Sequence, residues 1–157
     1  FVFIDGIFEL CKIANSNGYL IFIITNQAGI ARGFYTEHDV EILHTWMLGQ
    51  FEKRDITITR VYYCPFHPLH GIGKYKKESE CRKPNPGMLL KAQEEYDLNL
   101  QDSILIGDKS SDIASGIAAG IGSNILLTTS VEKASSAMAS YTFSSVRSVS
   151  NWLAHQI

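Results

Sequence analysis

Three short stretches carry side chains suited to phosphate and metal chemistry. Thr25-Asn26-Gln27 offers a hydroxyl and two carboxamides in succession. Cys81-Arg82-Lys83-Pro84-Asn85-Pro86-Gly87 sets two adjacent cations in a proline-braced loop, and Gly107-Asp108-Lys109 is followed by Asp112. Cations held rigidly stabilise phosphoryl charge without reorganising. A hard cation such as Mg²⁺ prefers carboxylate oxygens and keeps several waters, which makes Asp108 a candidate ligand with Asp112 behind it. Each stretch also has a plainer interpretation: Thr25 and Asn26 ending a strand, Arg82 and Lys83 solvated, Asp108 capping a helix. Taken alone, these residues support an anion site that can accept a cation.

The flanking patterns predict the elements that must position them. Apolar residues recur at helical spacing between Asp5 and Asn17, and Asn17-Gly18 is a natural stop. The run YLIFIIT, Tyr19 to Thr25, is apolar without alternation, as in a parallel strand covered on both faces. A loop, NQAGIARG, leads to a helix in TEHDVEILHTWMLGQFEKR, with Thr36 and Asp39 in capping-box positions. ITRVYYC, Ile58 to Cys64, reads as the next strand. The 65–86 segment, holding all four prolines, reads as a long irregular excursion of the kind usually kept for function. Helix Gly87 to Tyr96, strand SILIGD, helix Ser111 to Ala119, strand SNILLTT and helix Val146 to Ala154 complete the series. Alternating strands and helices over one 157-residue unit imply an α/β, doubly wound parallel sheet, whose ligands bind at the carboxyl ends of the strands.

Composition narrows the partners. A net charge of -2 without a Lys/Arg run excludes the usual nucleic-acid footprint, and no apolar stretch approaches the ~20 residues of a membrane span. A small polar or anionic metabolite is the expected partner, and a monomer the expected state. Three cysteines, Cys11, Cys64 and Cys81, are too few and odd in number for a disulfide framework, so a reducing, cytoplasmic compartment is expected.

In order, IITNQ, CRKPNPGM and LIGDKSSDIASG resemble the second, third and fourth motifs of the haloacid dehalogenase superfamily of phosphatases. More narrowly, TNQAGIARG, YYCP, CRKPNPGMLL and the GDK motif are similar to the D-glycero-D-manno-heptose-1,7-bisphosphate 7-phosphatase family, with the histidinol-phosphatase domain sharing much of the pattern. The resemblance implies a Rossmann-like core without a large cap domain. It also implies Mg²⁺-dependent phosphomonoester hydrolysis through an aspartyl-phosphate, within heptose biosynthesis for lipopolysaccharide precursors. By the same resemblance Thr25 bonds the phosphoryl group and Lys83 neutralises it, as catalytic residues. Asn26, Gln27, Arg82 and Lys109 hold a sugar-phosphate substrate, and Asp108 binds the metal.

Two departures qualify that picture. The family's Asp-x-Asp pair, nucleophile and general acid, is absent from these residues. Asp5 stands too close to Thr25 to be its first member and reads as a helix cap. The chain as given is therefore expected to start beyond the first strand and to be inactive alone. Of the family's four zinc positions, which read Cys64, Phe66, Ser79 and Cys81, two ligands are missing. A structural zinc is not expected, although His67 and His70 with the two cysteines are an irregular alternative set. A histidinol-phosphate or other sugar-phosphate phosphatase, a catalytically dead sugar-phosphate binder and, more remotely, a phospho-receiver domain remain alternatives.

Overall fold

Residues 1–156 are described by the structure, a computed structural model. Helix α1 (Ile7–Ser16) leads into strand β1 (Phe22–Asn26), the short α2 (Ala28–Ala31) and the long α3 (Glu37–Glu52). Strand β2 (Arg60–Cys64) precedes the irregular 65–86 segment, whose regular structure is a 3₁₀ turn at Gly73–Tyr75 and one bridge between His67 and Lys76. Then follow α4 (Gly87–Tyr96), β3 (Ile104–Gly107), α5 (Ser110–Ala119), β4 (Ser123–Leu127), α6 (Val131–Ser136), β5 (Tyr141–Phe143) and α7 (Val146–Ala154).

All strand pairs are parallel, but the strands form two sheets instead of one: β1 with β2, and β3-β4-β5. The backbone explains the break. Ile21 O accepts from Thr59 N, and Gln27 N donates to Cys64 O, so the odd residues of this segment face β2. The peptide groups of Phe22, Ile24 and Asn26 therefore point to the other edge. In the second sheet Ser123 N donates to Ser103 O, which turns the peptide groups of Ile104 and Ile106 away from β4. β1 and β3 thus have an open edge each. They are half-buried where a covered strand would be sealed, and Ile106 is 39% exposed.

The core divides accordingly. Leu10 of α1, Ile125 of β4, and Val146, Val149 and Leu153 of α7 pack together beside the larger sheet. Cys11 packs with Met47, Phe51 and Ile56 under α3, while Tyr62 and Cys64 of β2 meet Met88 and Ala92 of α4. A buried aliphatic side chain contributes roughly 1.5–3 kcal/mol, so these clusters hold the helices that in turn fix the loops at the strand ends.

Local signals were legible where the chemistry is local. Thr36 and Asp39 form the predicted capping box, Thr36 Oγ1 accepting from Asp39 N and Asp39 Oδ2 from Thr36 N. Asp5 does not cap α1: Gly6, at φ 85°, occupies that position, and Asp5 instead accepts from exposed Arg147 at 3.2 Å. A left-handed backbone is natural for glycine, which leaves the preceding aspartate turned away from the helix end.

Candidate functional site

The carboxyl ends of β1 and β3 bring all three sequence stretches together. Lys83 is their junction. Its peptide is clasped by the Asn26 side chain: Lys83 N donates to Asn26 Oδ1 at 3.1 Å, and Asn26 Nδ2 donates to Lys83 O at 3.3 Å. Its ammonium donates to Ile24 O at 3.3 Å, on the open edge of β1, and to Asp112 Oδ1 at 2.5 Å, on α5. The lysine side chain therefore spans the interval between the two sheets. With side-chain exposures of 14% and 9%, Lys83 and Asp112 form a largely desolvated pair.

Asp112 has a larger part than its sequence position suggested. Its second oxygen accepts from the backbone N–H groups of Asp108 at 3.2 Å and Lys109 at 3.1 Å, which folds the turn carrying both side chains. Gly107 permits this, because a Cβ there would overlap the Asp112 carboxylate. Asp112 is buried, whereas Asp108 and Lys109 are exposed at the mouth of the site. A carboxylate loaded with two N–H donors and an ammonium has no oxygen to spare. Asp108 is the acid left free to bind a cation, its carboxylate making no hydrogen bond among the described residues.

On the other flank Gln27 Nε2 donates to Thr25 Oγ1 at 3.2 Å, and Tyr35 OH donates to Gln27 Oε1 at 2.7 Å. Tyr35 was missed by sequence reasoning; it lies in the turn after α2, where nothing but its distance to Gln27 reveals it. Arg82 precedes Lys83 in the same loop, and its Nη1 is buried without a hydrogen-bond partner among the described residues. A guanidinium donor shut away from water and left unpaired suits an anion that would satisfy it.

Besides the Lys83 contacts and Ile72 N, which donates to Ala31 O at 2.7 Å, the 65–86 excursion is fastened at three further points. Glu37 accepts from Tyr75 OH at 2.7 Å and from Tyr63 OH at 3.1 Å, joining loop, β2 and α3. Burial, followed by the Glu37 hydrogen bond, pushes the Tyr63 phenol up to about 12. Gly87 N donates to Glu80 O at 2.8 Å. The third fastening departs from the expectation of a reducing setting without a disulfide framework: Cys64 and Cys81 are joined by a disulfide, with Cα atoms 5.5 Å apart. The excursion returns Cys81 to the end of β2, a proximity that the count of cysteines could not show. Cys11 is free and buried. His67 Nδ1 accepts from the backbone N–H groups of Leu69 and His70, an ordinary loop role. Among the described residues no group of three or more His, Cys, Asp and Glu is arranged for a metal. Asp108 is the carboxylate of this turn that would hold a magnesium ion.

Comparison with known proteins agrees with the geometry. A family model described as HAD-hydrolase-like matches residues 80–149. A D-glycero-alpha-D-manno-heptose-1,7-bisphosphate 7-phosphatase of Burkholderia mallei is 55% identical over 127 residues, 81% of this chain and 67% of that protein. A D-glycero-beta-D-manno-heptose-1,7-bisphosphate 7-phosphatase of Vibrio cholerae is 39% identical over 155 residues, 98% of this chain and 83% of that protein. Among solved structures, a D,D-heptose 1,7-bisphosphate phosphatase from B. bronchiseptica, complexed with magnesium and phosphate, shares the fold with a TM-score of 0.85 at 20% identity. The match covers 99% of this chain and 86% of that one.

Proposed function

Since this chain belongs to the heptose-1,7-bisphosphate 7-phosphatase family within the haloacid dehalogenase superfamily, we propose that its protein removes the 7-phosphate of D-glycero-D-manno-heptose 1,7-bisphosphate. The observation that carries this is the convergence of Thr25, Asn26, Lys83 and the Asp108–Asp112 turn on one strand-end surface. Thr25 donates its hydroxyl to the phosphoryl group, and Lys83, anchored by Asp112, neutralises charge on the phosphoryl oxygens. Asn26 holds Lys83 in place. Gln27, Arg82 and Lys109 bind the remainder of the sugar phosphate. Magnesium, when bound through Asp108, supplies further charge neutralisation.

No Asp-x-Asp pair occurs among these residues. In the proposed chemistry the nucleophile and its acid partner come from residues outside this sequence, and the chain alone does not turn over. The same absence favours a second reading, a relative that binds the sugar phosphate without hydrolysing it. As for setting, we assign the enzyme to cytoplasmic supply of heptose precursors for lipopolysaccharide. In that compartment the Cys64–Cys81 bridge would meet thiol reductants, since cytosolic disulfides are rare.

Phosphate release by the full-length protein, measured over heptose 1,7-bisphosphate, histidinol phosphate and simple sugar phosphates, tests the assignment. The heptose bisphosphate should have the highest kcat/KM, and chelation should abolish turnover until Mg²⁺ is restored. Equal rates across the panel refute the substrate, undiminished rates after chelation refute the role of Asp108, and phosphate binding without any release establishes the second reading.

A further inference from the structure

We propose that Tyr35 is a positioning residue for phosphoryl binding, acting through Gln27 on the direction of the Thr25 proton. This rests on the anion site proposed above. A primary amide presents an acceptor at one end and donors at the other, and its two ends have nearly the same shape. Which end faces Thr25 decides what the threonine can do. In the structure Gln27 Nε2 faces Thr25 Oγ1 at 3.2 Å, so the threonine oxygen accepts and its own proton stays available; it is now turned to Asn26 O at 3.3 Å, a long bond easily exchanged. The opposite orientation would place Gln27 Oε1 against the threonine and draw that proton away from a substrate.

The orientation is favoured at the far end of the amide, where Tyr35 OH, a phenol and so a better donor than acceptor, donates to Gln27 Oε1 at 2.7 Å, the shorter of the two bonds. An independent feature fixes the phenol. Its ring lies against the backbone of Gly29 so closely that a Cβ there would overlap Cε1, Cζ and OH of Tyr35. Gly29 has no positive φ and sits inside α2, where a larger residue would otherwise serve. The missing side chain therefore makes room for the ring. The chain from Gly29 to Tyr35, Gln27 and Thr25 sets a donor toward the strand-end surface without any of its first three members touching the phosphoryl group.

A double-mutant cycle in the full-length protein separates this role from a structural one. Tyr35→Phe keeps the ring and removes the hydroxyl. Affinity for inorganic phosphate and kcat/KM for the best substrate should both fall about fivefold, the effect of one lost hydrogen bond, with an unchanged thermal midpoint. In a Thr25→Val background, or Thr25→Ala if valine disturbs the strand, the same change should leave phosphate affinity unchanged and lower kcat/KM much less than in the parent. Gly29→Ala should reproduce the loss by displacing the ring. Equal losses with and without the Thr25 hydroxyl, or no loss in the parent protein, overturn the inference. If the parent binds phosphate but releases none from any ester, the proposed function fails while the affinity cycle still decides the role of Tyr35. A parent that does not bind phosphate refutes both.

Discussion

Replacing Asp112 by alanine should be among the most damaging single changes available in this protein. Three partners lose their acceptor together: the Lys83 ammonium at 2.5 Å and the backbone N–H groups of Asp108 and Lys109. The pair is 14% and 9% exposed, so its behaviour lies nearer to the buried class, where removing one partner costs about 3–5 kcal/mol, than to exposed pairs worth about 0–1 kcal/mol. Ile24 O retains part of the lysine's hydrogen bonding, which places the expected loss near 3 kcal/mol. For a domain of this size that corresponds to a fall of roughly 6–12 °C in thermal midpoint. Lys83→Met should be milder, because Asp112 keeps its two backbone donors. The assay is reversible urea unfolding of the parent, both single variants and the double variant, with the m-value checked for constancy. A loss below about 0.5 kcal/mol for Asp112→Ala, within the range of an ordinary surface change, would refute the desolvated network.

Reduction of the Cys64–Cys81 bridge, or Cys81→Ser, should lower stability by about 3 kcal/mol, the loop-entropy figure for a separation of 17 residues; an unfolding midpoint indifferent to reductant contradicts the bridge. Tyr63 gives a pH signature. Its folded pKa of about 12 lies above the ordinary 10, so burial and Glu37 favour the neutral phenol. The resulting stability is complete below pH 10 and lost as pH rises toward 12. The stability difference between parent and Tyr63→Phe should therefore shrink over that window, and a constant difference through it argues against the Glu37 clamp. Cys11, whose thiol is pushed up to about 11 by burial, should resist alkylation at neutral pH until the protein unfolds; rapid labelling of the native protein contradicts its place in the core.

The boundaries of α4 and α7 and the cap of α3 were legible because their signals lie within a few residues: a glycine or serine start, apolar spacing and the Thr36–Asp39 box. Short elements without a strong period, α2, α6 and the three-residue β5, escaped. Which strands would pair was not legible, since strand pairing is a relation between distant segments and a strand's own composition does not name its neighbour. At the site the same distinction holds. Thr25, Lys83 and Asp108 stand in recognisable motifs, whereas the attachment of Lys83 to Asp112, the support of Gln27 by Tyr35 and the meeting of Cys64 with Cys81 join residues brought together by folding.

The central claim is that the carboxyl ends of β1 and β3 form one phosphate site organised by Lys83. Its most direct test is an amide-resolved NMR titration of the full-length protein with inorganic phosphate in the presence of Mg²⁺. Saturable shifts should concentrate at Thr25, Asn26, Gln27, Lys83, Asp108 and Lys109, and should vanish in Lys83→Met. Shifts centred instead on the exposed lysines of the 65–86 segment, or surviving unchanged in Lys83→Met, would contradict the account.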